Sequence, residues 1–316
     1  MKRTAIDCLR RAALSIRANF SLVWLRLLQE LLFAVLFVAS LVPPLVVLGG
    51  AALFEGEWSE AALEGWIAGL GDQLAGVALP LTLAVLASLV IGLLVVMVWG
   101  WFEGGVLGVL VAAERQAVPG AEDRAGGWRW FRTFSLRDFS GWGGRYLWRF
   151  FWFFHLAFTV LLVLLLLMLL LVLGAVYGGE SWGPGAAFGI GCGGALPLVF
   201  LFLVYALWFN VAQPAVALEE SGAVRGSSLG LRIVGRRLGA SLLILLVAIV
   251  AAVGVGLFFS IGQWTAALFA QDSFTALITI YLVFGLLQMV VGAVVNLYVL
   301  AAYTSLVVAE AGGAPR

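Results

Sequence analysis

Three observations predict an all-α integral membrane protein with six transmembrane helices. Of the 316 residues, 63% are hydrophobic and 11% are charged, and the mean hydropathy is +1.10. Soluble domains, by contrast, are about 45–50% apolar and about 25% charged. Six uncharged runs are close to or longer than the roughly 20 residues that a helix needs to cross about 30 Å of hydrocarbon. All the basic residues fall on one side of these six runs.

The six runs define the expected spans in chain order. They cover residues 31–48, 77–102, 150–176, 195–218, 238–261 and 274–309. None shows the alternation of apolar and polar residues that marks the strands of a membrane β-barrel, so helices are predicted. Pro43, Pro44 and Pro214 predict kinks or breaks in the first and fourth spans. After the first span, residues 59–70 have the apolar spacing of a short amphipathic helix within the loop.

The charged residues set the expected orientation. Six basic residues precede the first apolar run, seven lie between the second and third runs, four lie between the fourth and fifth, and one is Arg316. The other three connections contain acidic residues but neither Lys nor Arg. The positive-inside rule therefore places both chain termini in the cytoplasm. An Arg-dominated basic set, short loops and the lack of a eukaryotic targeting signal indicate a bacterial cytoplasmic (inner) membrane.

An internal repeat is visible in the sequence. The even spans end in Val111-Ala-Ala-Glu114, Val216-Ala-Leu-Glu219 and Val307-Val-Ala-Glu310. Each odd span follows a basic segment with apolar residues at helical spacing, which favours a helix in the membrane interface with its arginines toward anionic headgroups. The apolar positions are Ile6, Leu9, Ile16 and Phe20; Leu136, Phe139, Tyr146 and Phe150; and Val224, Leu231, Val234 and Leu238.

We therefore expect one polytopic membrane domain over residues 1–316, with three repeated helical hairpins at residues 1–114, 115–220 and 221–316. The alternative is that hydrophobic helices with basic flanks look alike without any repeat. It stays open because the shared endings are short and consist of common residues.

The connection between the fourth and fifth spans is the most distinctive stretch. The fourth span is followed by an acidic pair and a glycine, and then by a segment of small and basic residues that leads into the fifth span. The residues of this pattern are Glu219, Glu220, Gly222, Ser228, Arg232, Arg236 and Arg237. Over residues 214–243 this pattern resembles bacterial six-span proteins of the YciC-like kind, which are similar to the membrane domain fused to some glycerophosphoryl diester phosphodiesterases. The resemblance implies the six-span topology, and no hydrolase activity, because we expect no hydrolase domain here. Alternatively, the stretch is a purely architectural turn.

Few residues offer catalytic chemistry. The only histidine, His155, lies in the third span among phenylalanines, where a packing residue is commoner than a proton relay. No CxxC, HExxH, P-loop or GxSxG motif stands in the context that its mechanism requires. We therefore expect no catalytic residues, no metal site and no cofactor.

Polar side chains in the even spans are better candidates for a site. Glu103, Asn210 and Asn296 lie about three turns before the glutamate endings. If the repeats surround an axis, these residues converge with Gln213 and Gln288 in a polar centre. The alternative is that the asparagines simply join helices by hydrogen bonds worth about 0.6 kcal/mol each.

Two functions are compatible with these features, and a third, an intramembrane enzyme, is disfavoured because the sequence has few acid–base groups. The first is a non-enzymatic scaffold or accessory module that binds anionic lipid or a membrane protein partner, and no nucleic acid, through an Arg-rich cytoplasmic face. That face comprises Arg10, Arg11, Arg17, Arg145, Arg149, Glu219, Glu220, Arg225, Arg232, Arg236 and Arg237. The alternative is a small transporter or lipid-handling permease that uses the intramembrane polar residues.

Overall fold

The computed structural model describes residues 3–49, 60–218, 222–269 and 273–312. Within these ranges the chain is all-helical and has no strand. The eight helices are α1 (Ala5–Ala18), α2 (Ser21–Gly49), α3 (Glu60–Gln116), α4 (Leu136–Trp182), α5 (Pro184–Leu218), α6 (Ala223–Arg236), α7 (Leu238–Phe269) and α8 (Phe274–Gly312). Two 3-10 turns, Ala121–Asp123 and Gly127–Phe131, lie between α3 and α4. The predicted all-α class is confirmed.

Six of these helices are long and apolar enough to cross a membrane, namely α2, α3, α4, α5, α7 and α8. In the most apolar window of each, only 6–17% of the residues are buried inside the protein. The remaining apolar side chains face outward, where a hydrocarbon environment is far more favourable for them than water. The chain is therefore a polytopic membrane protein, as the six uncharged runs predict.

The helices are longer than the apolar runs. Of the short loop helix predicted at residues 59–70, the described residues 60–70 are instead the first turns of α3, which is continuous from Glu60 to Gln116. Likewise, the second basic segment is not a separate interfacial helix but forms the first turns of α4. With 47 residues, α4 is about 70 Å long, so it extends well beyond a hydrocarbon layer of about 30 Å. The helices also continue without a break through Pro43, Pro44 and Pro214.

Local sequence signals explain where the basic segments begin. At the start of α1, Thr4 and Asp7 form a capping box, in which the Asp7 amide donates to Thr4 Oγ1 at 3.2 Å and the Thr4 amide donates to Asp7 Oδ2 at 2.9 Å. The hydroxyl and amide of Thr4 hold the pKa of the Asp7 carboxyl below its ordinary value. Ser135 caps α4 through the Asp138 amide. Gly222, before α6, has φ of 104°, a conformation that favours glycine.

The chain divides into two compact units, Leu28–Trp99 and a larger one formed by Met1–Leu27 and Gly100–Arg316. In the smaller unit, the ring of Phe33 on α2 meets the ring of Trp99 on α3 edge to face at 4.7 Å. In the larger unit, the core includes the last turns of the three even spans. These are buried without interruption over residues 102–111, 211–217 and 300–307.

Small residues bring each basic helical segment against the end of an even span in the larger unit. On α3, Gly100, Gly104 and Gly108 face the first turns of α4, and a Cβ atom on Gly108 would lie 2.4 Å from Trp142 Cβ. On α6, a Cβ atom on Gly226 would lie 2.6 Å from Val216 Cα of α5. The remaining segment, α1, packs on α8. We call the region formed by α1, residues 117–150, α6 and the last turns of α3, α5 and α8 the arginine-rich end.

Candidate functional site: the arginine-rich end

A buried arginine lies at the centre of this end. The side chain of Arg11 is 1% exposed; its Nε donates to Glu114 Oε2 at 3.0 Å and its Nη1 donates to Glu122 Oε2 at 2.6 Å. The guanidinium carbon lies 4.8 Å from the centroid of the Phe131 ring. Two carboxylates and an aromatic face compensate the loss of water around this cation. Arg11 therefore ties α1 to α3 and to the first 3-10 turn.

The same glutamate joins α1 to a second even span. Arg3 Nη1 donates to Glu114 Oε2 at 2.7 Å and also to the carbonyl oxygen and hydroxyl of Ser305 on α8, at 3.1 and 2.9 Å. Cys8, one turn further along α1, is fully buried. Burial raises the pKa of its thiol to about 11, against a smaller lowering effect of its hydrogen bond with Ser305. Glu114, the last residue of the first shared ending, thus connects three helices.

Glu310, the last residue of the third shared ending, is also bound by an arginine. Arg237, between α6 and α7, donates from Nε to Glu310 Oε1 of α8 at 2.5 Å, and both side chains are about four-fifths buried. Glu219 and Glu220 lie outside the described residues. Two of the three glutamate endings are therefore bound by arginines from basic segments.

Asn19, at the end of α1, was missed by the sequence analysis. Its Nδ2 donates to the carbonyl oxygen of Phe131 at 2.8 Å, and its Oδ1 accepts from the amides of Thr133 and Phe134 at 3.0 and 2.9 Å. The side chain satisfies three backbone groups between the second 3-10 turn and α4. Asparagine at a helix end is the only sequence signal for this role, and it does not identify a partner 112 residues away.

The arginines of the predicted lipid- or partner-binding face differ in their exposure. Arg11 and Arg237 are bound inside the protein, whereas six others of the predicted face are exposed: Arg10, Arg17, Arg145, Arg225, Arg232 and Arg236. Arg149 is half-buried, with its guanidinium carbon 5.2 Å from the centroid of the Tyr146 ring. Arg10 lies 3.9 Å from Asp123, but both side chains are well exposed, so this pair contributes about 0–1 kcal/mol.

Large apolar side chains are exposed beside these arginines. Ile6 on α1 and Phe20 in the turn after it are 56% and 53% exposed, and on α6, Val224 and Leu231 are 76% and 54% exposed. The faces of α1 and α6 that contact the protein carry mainly small side chains. Ile16 and Val234 belong to the predicted apolar faces of these segments but are buried in the protein, and so are Phe139, Tyr146 and Phe150 of the second basic segment.

Glu103 has a specific partner inside the larger unit. Arg26 on α2 donates from Nη1 to Glu103 Oε1 on α3, and the two residues are 6% and 2% exposed. The sequence spacing did not indicate this pair, because 77 residues separate the two side chains.

The structure brings together three of the five residues of the predicted polar centre. Asn210 on α5 and Gln288 and Asn296 on α8 line one cavity of about 580 Å³, to which α7 contributes small residues such as Ala252 and Gly256. Asn210 Nδ2 also donates to the carbonyl oxygen of Ala206 on its own helix. Glu103 and Gln213 are not in the lining of this cavity, and Gln213 is buried elsewhere on α5.

His155 has the surroundings of a packing residue. Its Nδ1 donates to the carbonyl oxygen of Phe151 at 2.8 Å, and the centroids of the His155 and Phe151 rings lie 4.2 Å apart. Among the residues that the structure describes, no three His, Cys, Asp or Glu side chains are grouped to hold a metal ion.

Fold and site together define a polytopic α-helical membrane protein with a charged and aromatic end. Comparison with known protein families, curated proteins and solved structures gives no match to the chain.

Proposed function

We propose that this protein is a non-enzymatic membrane module whose arginine-rich end binds the headgroups of anionic lipids. The observation that carries the proposal is the division of the arginines at that end. Arg11 and Arg237 are neutralised by glutamates inside the protein, whereas exposed arginines stand beside exposed apolar side chains on α1 and α6. A surface with cations and apolar groups side by side suits the interface between headgroups and acyl chains.

Helix α6 illustrates the fit most clearly. Its small-residue face packs on α5, and Trp208 of α5 donates to the carbonyl oxygen of Ser227 at 3.2 Å. The opposite face exposes Arg225, Arg232 and Arg236, which form no ion pair with any carboxylate that the structure describes. A basic residue near an anionic membrane surface contributes about 1 kcal/mol, so these three arginines together contribute about 3 kcal/mol.

The proposal includes a location and a role. The sorting of all 18 basic residues supports a bacterial cytoplasmic membrane with both termini in the cytoplasm. A non-enzymatic role is supported by the binding of the carboxylates Glu103, Glu114 and Glu310 to arginines, which opposes their use as general acids or bases. We also propose membership of the YciC-like six-span group, on the pattern over residues 214–243.

Thermal unfolding with added lipid tests the proposal. A ligand that binds only the folded state raises the unfolding temperature, so phosphatidylglycerol should stabilise the detergent-solubilised full chain more than phosphatidylcholine does. The difference should shrink at high salt, which screens surface charges. It should also shrink in the triple variant Arg225→Gln, Arg232→Gln, Arg236→Gln and persist when the same positions carry Lys. Equal stabilisation by both lipids would overturn the proposal, and a co-purifying protein that protects these arginines would instead indicate a protein partner.

One observation favours a second candidate function, a small transporter or lipid-handling permease. The amide-lined cavity between α5, α7 and α8 places three polar side chains in membrane-spanning helices, where such groups commonly mark a pathway. In vesicles, this candidate predicts flux of an ion or lipid that Asn296→Leu and Gln288→Leu reduce. Absence of flux by the wild-type protein over a broad ion and lipid panel would contradict it.

A further inference from the structure

We infer that a groove between α1, α7 and α8 is a site for one anionic phospholipid, with the phosphate bound by Arg17 and one acyl chain seated in the groove. This inference rests on the proposed lipid binding and assigns it a specific site, distinct from the exposed arginines of α6.

The groove is apolar and has walls from three helices. It has a volume of about 400 Å³, and its lining includes Ile16 of α1, Phe20 in the turn after α1, Val247 and Ala251 of α7, and Val294 and Tyr298 of α8. The walls present almost only hydrocarbon, since they consist of Ala, Val, Ile and Phe side chains, the ring of Tyr298 and the aliphatic stem of Arg17. Because Arg17 and Phe20 are exposed, the groove opens on the protein surface at the arginine-rich end.

Arg17 and Arg11 lie on the same helix but differ in their ion-pair partners. Arg11 is buried and held by two glutamates, whereas no carboxylate of the described residues lies within ion-pair distance of Arg17. Its guanidinium carbon lies 5.6 Å from the centroid of the Trp128 ring, a contact that orients a cation without neutralising its charge. An anion is therefore the complementary group at this end of the groove.

The position of the groove selects a lipid over a peptide. Helices α7 and α8 are membrane-spanning, and α1 lies immediately before the span that starts at Ser21, so Arg17 lies where headgroups meet acyl chains. A peptide would bring backbone amides and carbonyls that must be hydrogen-bonded when buried, and the walls of the groove present almost no polar group. A phospholipid presents one phosphate and then hydrocarbon, which matches one cation and then an apolar wall.

The groove accommodates the part of the lipid's acyl chain that lies next to the headgroup. Its lining on α8 runs from Val294 to Val299, which is about 7–8 Å along the helix axis. Ala248, Val295 and Val299 separate it from the amide-lined cavity, because they belong to the walls of both. The rest of the acyl chain lies against the exposed apolar surface of α7 and α8.

Native mass spectrometry of the full chain, stripped of lipid and titrated with phosphatidylglycerol, tests this site. We expect one phospholipid to be retained more tightly than the others. Arg17→Gln should weaken its apparent Kd about tenfold, since a charge-assisted hydrogen bond to phosphate is lost, and Arg17→Lys should retain most of the affinity. Ala251→Phe, which fills the groove, should also remove the tight site, whereas Val250→Phe should not, because Val250 is 64% exposed and outside the lining.

The outcomes separate this inference from the proposed function. If the wild-type protein shows no preference for phosphatidylglycerol, both fail. If the preference is lost in the α6 triple variant but unchanged in Arg17→Gln, the groove site is overturned and the proposed function stands. Unchanged tight binding in both Arg17→Gln and Ala251→Phe overturns the site, and Arg17→Gln alone decides if Ala251→Phe does not fold.

Discussion

Arg26 on α2 and Glu103 on α3 form a buried ion pair that connects the first two membrane-spanning helices. The two residues are 6% and 2% exposed, and Arg26 donates from Nη1 to Glu103 Oε1. Placing a charge inside a membrane-spanning helix is costly unless it is paired. This pair therefore explains how α2 and α3 tolerate charges in segments that are otherwise apolar.

Removing only one member of the pair should destabilise the fold. Glu103→Ala leaves the arginine without this carboxylate in a buried position, and we expect a loss of about 3–5 kcal/mol in the free energy of unfolding. The double variant Arg26→Met, Glu103→Leu should recover most of that loss, because well-packed apolar residues replace a buried pair at little cost. Unfolding by SDS titration measures both values. Equal destabilisation by the single and double variants would show that the pair does not act as a unit.

Two glycines on α6 should respond very differently to the same substitution. A Cβ atom at Gly226 would lie 2.6 Å from the Val216 backbone, so Gly226→Ala should lower the free energy of unfolding by roughly 1–3 kcal/mol. Gly235, on the same helix, has no heavy atom within 4 Å of its added Cβ position. There alanine should stabilise by up to about 1 kcal/mol through its helix propensity. Similar thermal stability of the two variants would contradict the close packing of α6 on α5.

The buried thiol of Cys8 provides a pH-dependent test of the packing of α1. Burial raises its pKa from the ordinary value of 9.0 to about 11, and only the thiolate reacts with alkylating agents. In a Cys192→Ala background, alkylation at pH 8 should be at least about 100-fold slower in the folded protein than after unfolding, because the thiolate fraction falls tenfold per pKa unit. Equal rates would show that α1 is not docked.

The same shift has a consequence for stability. Above pH 9 the unfolded thiol loses its proton while the folded thiol keeps it until about pH 11. The raised pKa therefore makes the free energy of unfolding fall as the pH rises from about 9 to about 11. In a Cys8→Ala variant, the free energy of unfolding should therefore fall less between about pH 9 and about pH 11 than in the wild-type protein.

The sequence predicted the spans and missed the long-range pairs, for physical reasons. Hydrocarbon thickness and the lack of water constrain every membrane helix, so uncharged runs identify α2, α3, α4, α5, α7 and α8 directly. Helix ends were less predictable, since Ser135 and Asp138 start α4 fourteen residues before the expected span. No local pattern could assign Arg11 to Glu114 or Asn19 to Phe131, because those contacts arise only when distant helices pack.

The candidate site was predictable in kind but not in detail. The sequence assigned Arg11 and Arg237 to a cytoplasmic face for lipid or a protein partner, and in the structure both are bound to glutamates of the shared endings. Small residues on α1 and α6 were the available signal that these helices also contact the protein. The three-hairpin repeat stays a prediction, to which the matching buried runs at the ends of α3, α5 and α8 lend support.

The proposed orientation predicts which residues an impermeant thiol reagent reaches. In a background with Cys8→Ala and Cys192→Ala, Ser228→Cys on α6 should be labelled only after the cells are permeabilised. Ser181→Cys, at the opposite end of α4, should be labelled in intact cells. Both serines are exposed in the structure, so access depends on the side of the membrane. Labelling of Ser228→Cys in intact cells would reverse the topology.

Mass spectrometry of the protein extracted gently from its own membrane, with its bound lipids attached, tests the central claim most directly. We predict that anionic lipids are enriched on the wild-type protein relative to the bulk membrane and that Arg225→Gln, Arg232→Gln, Arg236→Gln removes most of the enrichment. Bound lipids that mirror the bulk composition in both proteins would contradict the account.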